Sequence, residues 1–277
     1  MTATARGTNR GTTRGTTARS IAFARRAWRQ QRSTAVWLAA VIGALLGVLV
    51  ATGSGAVDTT GLDGLVPAQG TGLVTVHDTA GDLLPMTTYL LTMTPAMLGM
   101  LVAIVATLTL PGVTADDVRG GGIEVLLAGP VPRRALFQSY LGAGLLLTAA
   151  SWLVATVAFG VTAASAFLVT GTTVTLTPAF GVALVAVPFA MAVWSATATL
   201  LGALLYPGSL ETTAGMNGGP IRLLALLPAM IAVPTVLLLP GWVLPALGLV
   251  LMFTVLASVA VVALTARGFR STKVLSA

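Results

Sequence analysis

PAFGVALVAVPFAMAVWSATATLLGALLY, residues 178–206, contains no Asp, Glu, Lys, Arg or His. About 20 apolar residues in helical form cross a bilayer core of roughly 30 Å. The stretch therefore reads as a transmembrane helix, and it decides the fold. Working outward, five more runs have the same character, near 34–52, 87–110, 136–165, 221–239 and 243–266. None of these span interiors holds a charged residue. The composition agrees, with 56% hydrophobic and 8% charged residues against about 25% charged in an ordinary soluble domain. The expected fold class is an all-α integral membrane protein with six transmembrane helices.

Charge placement tests that count. The 15 Lys and Arg fall in four places: the N-terminus, the 111–134 loop, the 207–222 loop and the C-terminal tail. The loop after the first span has Asp58, Asp63, Asp78 and Asp82 but no basic residue. Basic loops stay cytoplasmic, so the alternation demands an even number of crossings with both termini inside. The basic excess is thus a topology signal, and nucleic acid needs no role. The stretch VTAASAFLVTGTTVTLTP, residues 161–178, is apolar enough to prolong the third span, but a seventh crossing there would invert everything downstream.

Residues 1–18 repeat Arg, Gly and Thr with almost nothing to bury, and are expected to be disordered. The rest, 19–277, reads as a single transmembrane domain opening with a helix over 19–32. There Phe23, Ala27, Ala24, Trp28 and Ile21 share one arc, and Arg19, Arg25, Arg26 and Arg29 take the opposite one. That pattern predicts an amphipathic helix lying flat among the lipid headgroups. Within the spans, Pro95, Pro188, Pro228 and Pro234 remove backbone donors and kink their helices. Pro240 and Pro245 after the fifth span suggest broken or re-entrant helix there. Gly43 and Gly47 form a GxxxG, a pattern that permits close helix packing, within the chain or between two chains.

Little in the sequence points to catalysis. There is no cysteine, hence no thiolate nucleophile or metal site. The lone His77 lies beside Asp78 and reads as a solvated loop residue. Ser54, in TGSGA, has no His or Lys in a span to activate it, and reads as a turn after the first span. No phosphate-binding G-x-x-x-x-G-K-[ST] is present. Ion-coupled carriers typically hold Asp, Glu or His at mid-membrane, and this chain holds none. If it moves a solute, energy must arrive from outside the membrane.

The segment between the second and third spans is where such energy would enter. Pro111 and Gly112 are expected to stop the second span, and Thr114 to cap a new short helix with Asp116 and Asp117 in its first turn. Gly120, Gly121 and Gly122 end that turn. Ile123–Leu127 can form a second one before Pro130 and Pro132, and Arg133 and Arg134 anchor the next span. The expectation is a helical elbow with Ile123, Leu126 and Leu127 available for packing, longer than a plain connector needs.

This run resembles the cytoplasmic coupling segment of ABC-2 type transporter permeases, which reads like E-x-E-x-G-T-L-E-x-L-L-A-x-P-V-S-R-x-E-L. Asp116 and Asp117 stand near its acidic start, and Gly121 and Glu124 match its G-x-x-E core. Leu126, Leu127, Ala128, Pro130, Val131, Arg133 and Leu136 continue it. Gly122 replaces the usual Thr, Pro132 replaces the Ser, and no Lys follows the arginines. The resemblance extends over the chain as architecture, down to the basic-aromatic ending RGFRSTKVL.

The resemblance implies a permease subunit that dimerises, or pairs with a second permease, and is not itself an enzyme. It would bind no cofactor. ATP and Mg would sit on a separate cytoplasmic ABC ATPase, contacted through Asp116, Asp117, Arg119, Gly121, Glu124, Leu126, Leu127, Pro130 and Arg133. The setting would be the plasma membrane of a prokaryote. Two other readings are compatible with the residues. One is a channel or secondary carrier using uncharged groups such as Thr92, Thr94 and Gln138. The other is a membrane anchor or regulator binding a soluble partner. Tyr89, Trp152 and Trp194 are candidate cargo contacts, although such aromatics are more often packing. The cargo itself is not legible, beyond a lean toward apolar or amphipathic molecules.

Overall fold

With no water to bond to, backbone inside a bilayer must pair with itself, and this chain does so as helices. In the computed structural model, which describes residues 8–31, 34–56, 72–119, 133–205 and 220–268, seven α-helices follow in order. They are α1 (Thr8–Gln31), α2 (Thr34–Ala56), α3 (Pro85–Arg119), α4 (Arg133–Thr170), α5 (Pro178–Leu205), α6 (Pro220–Leu238) and α7 (Val243–Gly268). Two short strands, β1 (Val74–His77) and β2 (Thr173–Leu176), interrupt them. Helices α2 to α7 are long and apolar enough to cross a membrane.

Burial orders the bundle. Over an 18-residue apolar stretch of each helix, 72% of residues are buried in α3 and 56% in α5, against 17% in both α4 and α7. Helices α3 and α5 therefore form the centre. Helix α2 packs on α3 and α4 to one side, while α6 and α7 pack on α3 and α5 to the other. One core joins Leu46 and Val50 of α2, Leu98 and Val102 of α3, Phe159 of α4 and Phe180 of α5. A second joins Met93, Met191, Ala229, Val236 and Leu247 across α3, α5, α6 and α7.

The GxxxG of α2 is used inside the chain. A Cβ on Gly43 would collide with the Ala155 backbone, and one on Gly47 would lie 2.9 Å from the Phe159 carbonyl oxygen. Their missing side chains let α2 and α4 touch backbone to backbone.

The strands pair antiparallel, from Val74 opposite Leu176 to His77 opposite Thr173. Alternation aims Val74 and Val76 into the α2–α3–α4 core, so the ribbon plugs one end of the bundle. The buried Thr88 hydroxyl accepts from the Val76 amide at 3.1 Å, and the Thr177 hydroxyl donates to the Leu73 carbonyl at 3.0 Å. Asp78 closes the turn after β1, its carboxylate accepting from the Ala80 and Asp82 amides at 2.8 Å each.

Several expectations change here. Helix α1 starts at Thr8, inside the stretch expected to be disordered. Its apolar arc is divided: Ser20 is buried and Phe23 and Ala24 half-buried, while Ile21 and Trp28 are exposed. Helix α2 carries the TGSGA segment to Ala56, so Ser54 is helical rather than in a turn. Span three ends at Thr170, and the Thr-rich remainder of the ambiguous stretch becomes β2 instead of more helix. Pro228 and Pro234 both lie within a continuous α6, followed by a 3-10 turn at Pro240–Trp242. The break expected there is only that turn, because Pro240 opens it and Pro245 falls in the first turn of α7, where an amide donor is not needed.

The ribbon also fixes sidedness. It joins the chain just before α3 to the chain between α4 and α5, and Tyr89 of α3 donates to the Leu237 carbonyl near the end of α6 at 3.3 Å. These segments share one face of the bundle, the ribbon face. Among the described residues, every Lys and Arg lies toward the other end, the basic face: in α1, at the end of α3, and at the starts of α4 and α6 and the end of α7.

Candidate functional site

Helices α3 and α4 are too long for the membrane alone. They have 35 and 38 residues, or about 52 and 57 Å at 1.5 Å per residue, against a core of roughly 30 Å. The glycine contacts show where the excess lies. Gly43 meets Ala155 and Gly47 meets Phe159, so α2 and α4 run in the same direction. Carried back, that register sets the start of α2 level with about Leu146 of α4. Arg133–Leu145 then extends past it, by roughly 20 Å. Gly53 meets Leu90, and the antiparallel register sets the start of α2 near Thr109 of α3. The rest of α3, to Arg119, overruns by roughly 15 Å. Both excesses fall on the basic face, so the two helices form a projecting pair.

Helix α1 braces this projection. Phe23 stacks on Tyr140 of α4, with ring centroids 4.8 Å apart and 9° between planes. Ser20 packs beside Gly142. Leu136, Phe137, Ser139 and Tyr140 are all buried on this part of α4.

The candidate coupling residues divide accordingly. Asp116, Asp117 and Arg119 belong to the last turn of α3, since the helix passes through Pro111 and Gly112 without stopping. Thr114 therefore caps no new helix, and the acid pair is not in a first turn as expected. Losing one amide at Pro111 costs less than ending the helix with several unpaired carbonyls near lipid. Arg133 opens α4. Gly121, Glu124, Leu126, Leu127 and Pro130, with the expected elbow around them, lie outside the described residues.

Inside the bundle, hydroxyls are numerous but mostly satisfied locally. Thr92 donates to the Thr88 carbonyl at 2.8 Å and Thr94 to that of Leu90 at 3.1 Å. Thr107, Ser139, Thr156 and Thr162 likewise bond back to their own helices. Gln138 is exposed. Thr148, Thr199 and the Trp152 indole N–H are buried without a partner, and Trp152 packs edge-on against Phe189 at 5.0 Å.

Two of the three candidate cargo aromatics act as ties to α6. The Trp194 indole N–H donates to the Leu224 carbonyl at 2.9 Å, and the neighbouring Ser195 hydroxyl donates to that of Ala225 at 2.7 Å. Leu224 lies four residues before Pro228, so its carbonyl is the one that proline leaves without an amide. Tyr89 holds Leu237, in the last turn of α6 where carbonyls have no helical partner. Sequence reading missed Ser195. The signal for the pair was Pro228 itself, which announces an orphaned carbonyl at Leu224 but not its donor.

No group of three or more His, Asp or Glu able to hold a metal ion occurs among the described residues. No protein-family model matches the chain, and no curated protein or solved structure matches it.

Proposed function

We propose that this chain is the membrane-spanning, non-catalytic subunit of an ATP-driven exporter of the ABC-2 permease kind. In this reading it works as a dimer, or paired with a second permease, in a prokaryotic plasma membrane. A separate ATPase, carrying ATP and Mg, docks at residues 111–134. The observation supporting the reading is that α3 and α4, the helices flanking the segment that resembles a coupling loop, overrun the start of α2 on the basic face. The positive-inside rule makes that face cytoplasmic, where ATP is. Charge-free span interiors agree, since they leave coupling energy to come from outside the membrane.

The test is assembly. Truncating or reversing a buried interface charge costs about 2–5 kcal/mol, a rim charge far less. Glu124→Lys and Leu127→Asp should each abolish co-purification of the ATPase and lower hydrolysis in liposomes, while Lys273→Ala in the tail should change neither. Added Lys strengthens the cytoplasmic signal of that loop, so inverted insertion would not explain a loss. Normal assembly and coupled hydrolysis in both variants would reduce the segment to a connector.

A further inference from the structure

The face of α1 turned away from α4 is not the one its helical wheel advertises. Ala18, Ile21, Ala22, Arg25, Arg26 and Arg29 line an open groove of about 440 Å³ along it. Their spacing by three and four residues sets them on one side of the helix. The groove is apolar toward the N-terminal end, where Ile21 is 46% exposed, and cationic toward the other, where Arg25, Arg26 and Arg29 are all exposed. Only Arg32 and Ser33 separate α1 from α2, so Arg29 is held close to where the first span begins. Phe23 stacks on Tyr140 of α4, so the groove lies on the side of α1 turned away from that contact.

We propose that the groove binds one anionic phospholipid from the leaflet on the basic face. Arg25 and Arg29, one turn apart, grip the phosphate, and an acyl chain lies along Ile21, Ala22 and Ala18. Guanidinium groups suit this because their planar donors take phosphate oxygens two at a time. The volume falls in the range of small-molecule sites, enough for a glycerophosphate head and the start of a chain. Charge complementarity selects the occupant: a zwitterionic head brings its own cation to the arginines, and a soluble anion leaves the apolar half empty. The proposal is independent of any ATPase.

Native mass spectrometry of the delipidated full-length protein tests it, with phosphatidylglycerol and phosphatidylcholine of matched chains. One tight phosphatidylglycerol per chain is expected, and far weaker phosphatidylcholine. A basic residue beside an anionic headgroup contributes about fivefold in affinity, so Arg25→Gln with Arg29→Gln should lose roughly twenty- to thirtyfold. Ile21→Ser should lose several-fold for phosphatidylglycerol and leave any inorganic phosphate binding unchanged. An unchanged thermal midpoint in the exposed-arginine variant confirms that folding is intact, and partial recovery with Arg25→Lys and Arg29→Lys separates charge from fold. Equal binding of the two lipids, unaltered binding in the double variant, or displacement by millimolar inorganic phosphate would each overturn the proposal. So would tighter lipid binding after Asp116→Asn, Asp117→Asn and Glu124→Gln together, which would make the chain's own acidic segment the occupant.

Discussion

Leu224 has a carbonyl that its own helix cannot use, because Pro228 stands where the donor would be. The Trp194 indole fills that gap. Hydrogen bonds between membrane helices average only about 0.6 kcal/mol and reach about 1.7, whereas a stranded buried acceptor costs about 1–3. The second figure governs here, since the orphan is built in. Trp194→Phe should therefore destabilise the bundle by about 1–2 kcal/mol in a bilayer unfolding assay. With Pro228→Ala present, an alanine amide can serve Leu224, and the same change should cost about 1 kcal/mol less. Equal costs in both backgrounds would show that the indole matters only for its bulk.

Among the elements, the α2–α4 contact depends most on what its residues lack. Gly47→Val would drive a side chain into the backbone near Phe159 and Ala163. Overpacking typically costs about 1–3 kcal/mol, and with main chain as the obstacle the upper end is expected, as a lowered Tm in detergent. Val48→Ala, on the exposed side of α2, should leave Tm unchanged. Self-association should be no weaker in Gly47→Val than its lost stability explains, because the motif faces inward. The six spans were legible from hydropathy because lipid leaves few alternatives to a long apolar helix. The partner of Gly43 and Gly47 was not, since GxxxG says only that something comes close. Nor was the run of α3 through Pro111, where local breaker chemistry lost to the demand for paired backbone. Strands β1 and β2 escaped notice because their pairing joins segments far apart in the chain. The segment that resembles a coupling motif is readable as sequence, but only its flanks, Asp116 to Arg119 and Arg133, fall on described helix.

At the scale of the whole molecule, the two faces are separable by chemistry. The native chain has no cysteine, so single cysteines at Thr79 and Thr172 should react with an impermeant thiol reagent from the same side, and one at Thr17 only from the other. Matching labelling at all three would end the six-span arrangement. The ribbon register is testable in the same background. Thr75 and Thr175 are directly opposite and their hydroxyls touch, so Thr75→Cys with Thr175→Cys should cross-link under mild oxidation. Thr75→Cys with Val174→Cys should not, because neighbouring strand residues point to opposite sides. The ribbon has a further meaning in time. Its two strands are made about a hundred residues apart, and an isolated strand has little stability in water. During synthesis β1 must cross first and wait, with Val74 and Val76 uncovered, until α4 has threaded and delivered β2. Chains stalled on the ribosome before residue 173 should thus be cut within 72–84 by protease added on the ribbon face. Chains released beyond α5 should resist, making strand pairing the step at which a newborn chain certifies that its third crossing went the right way.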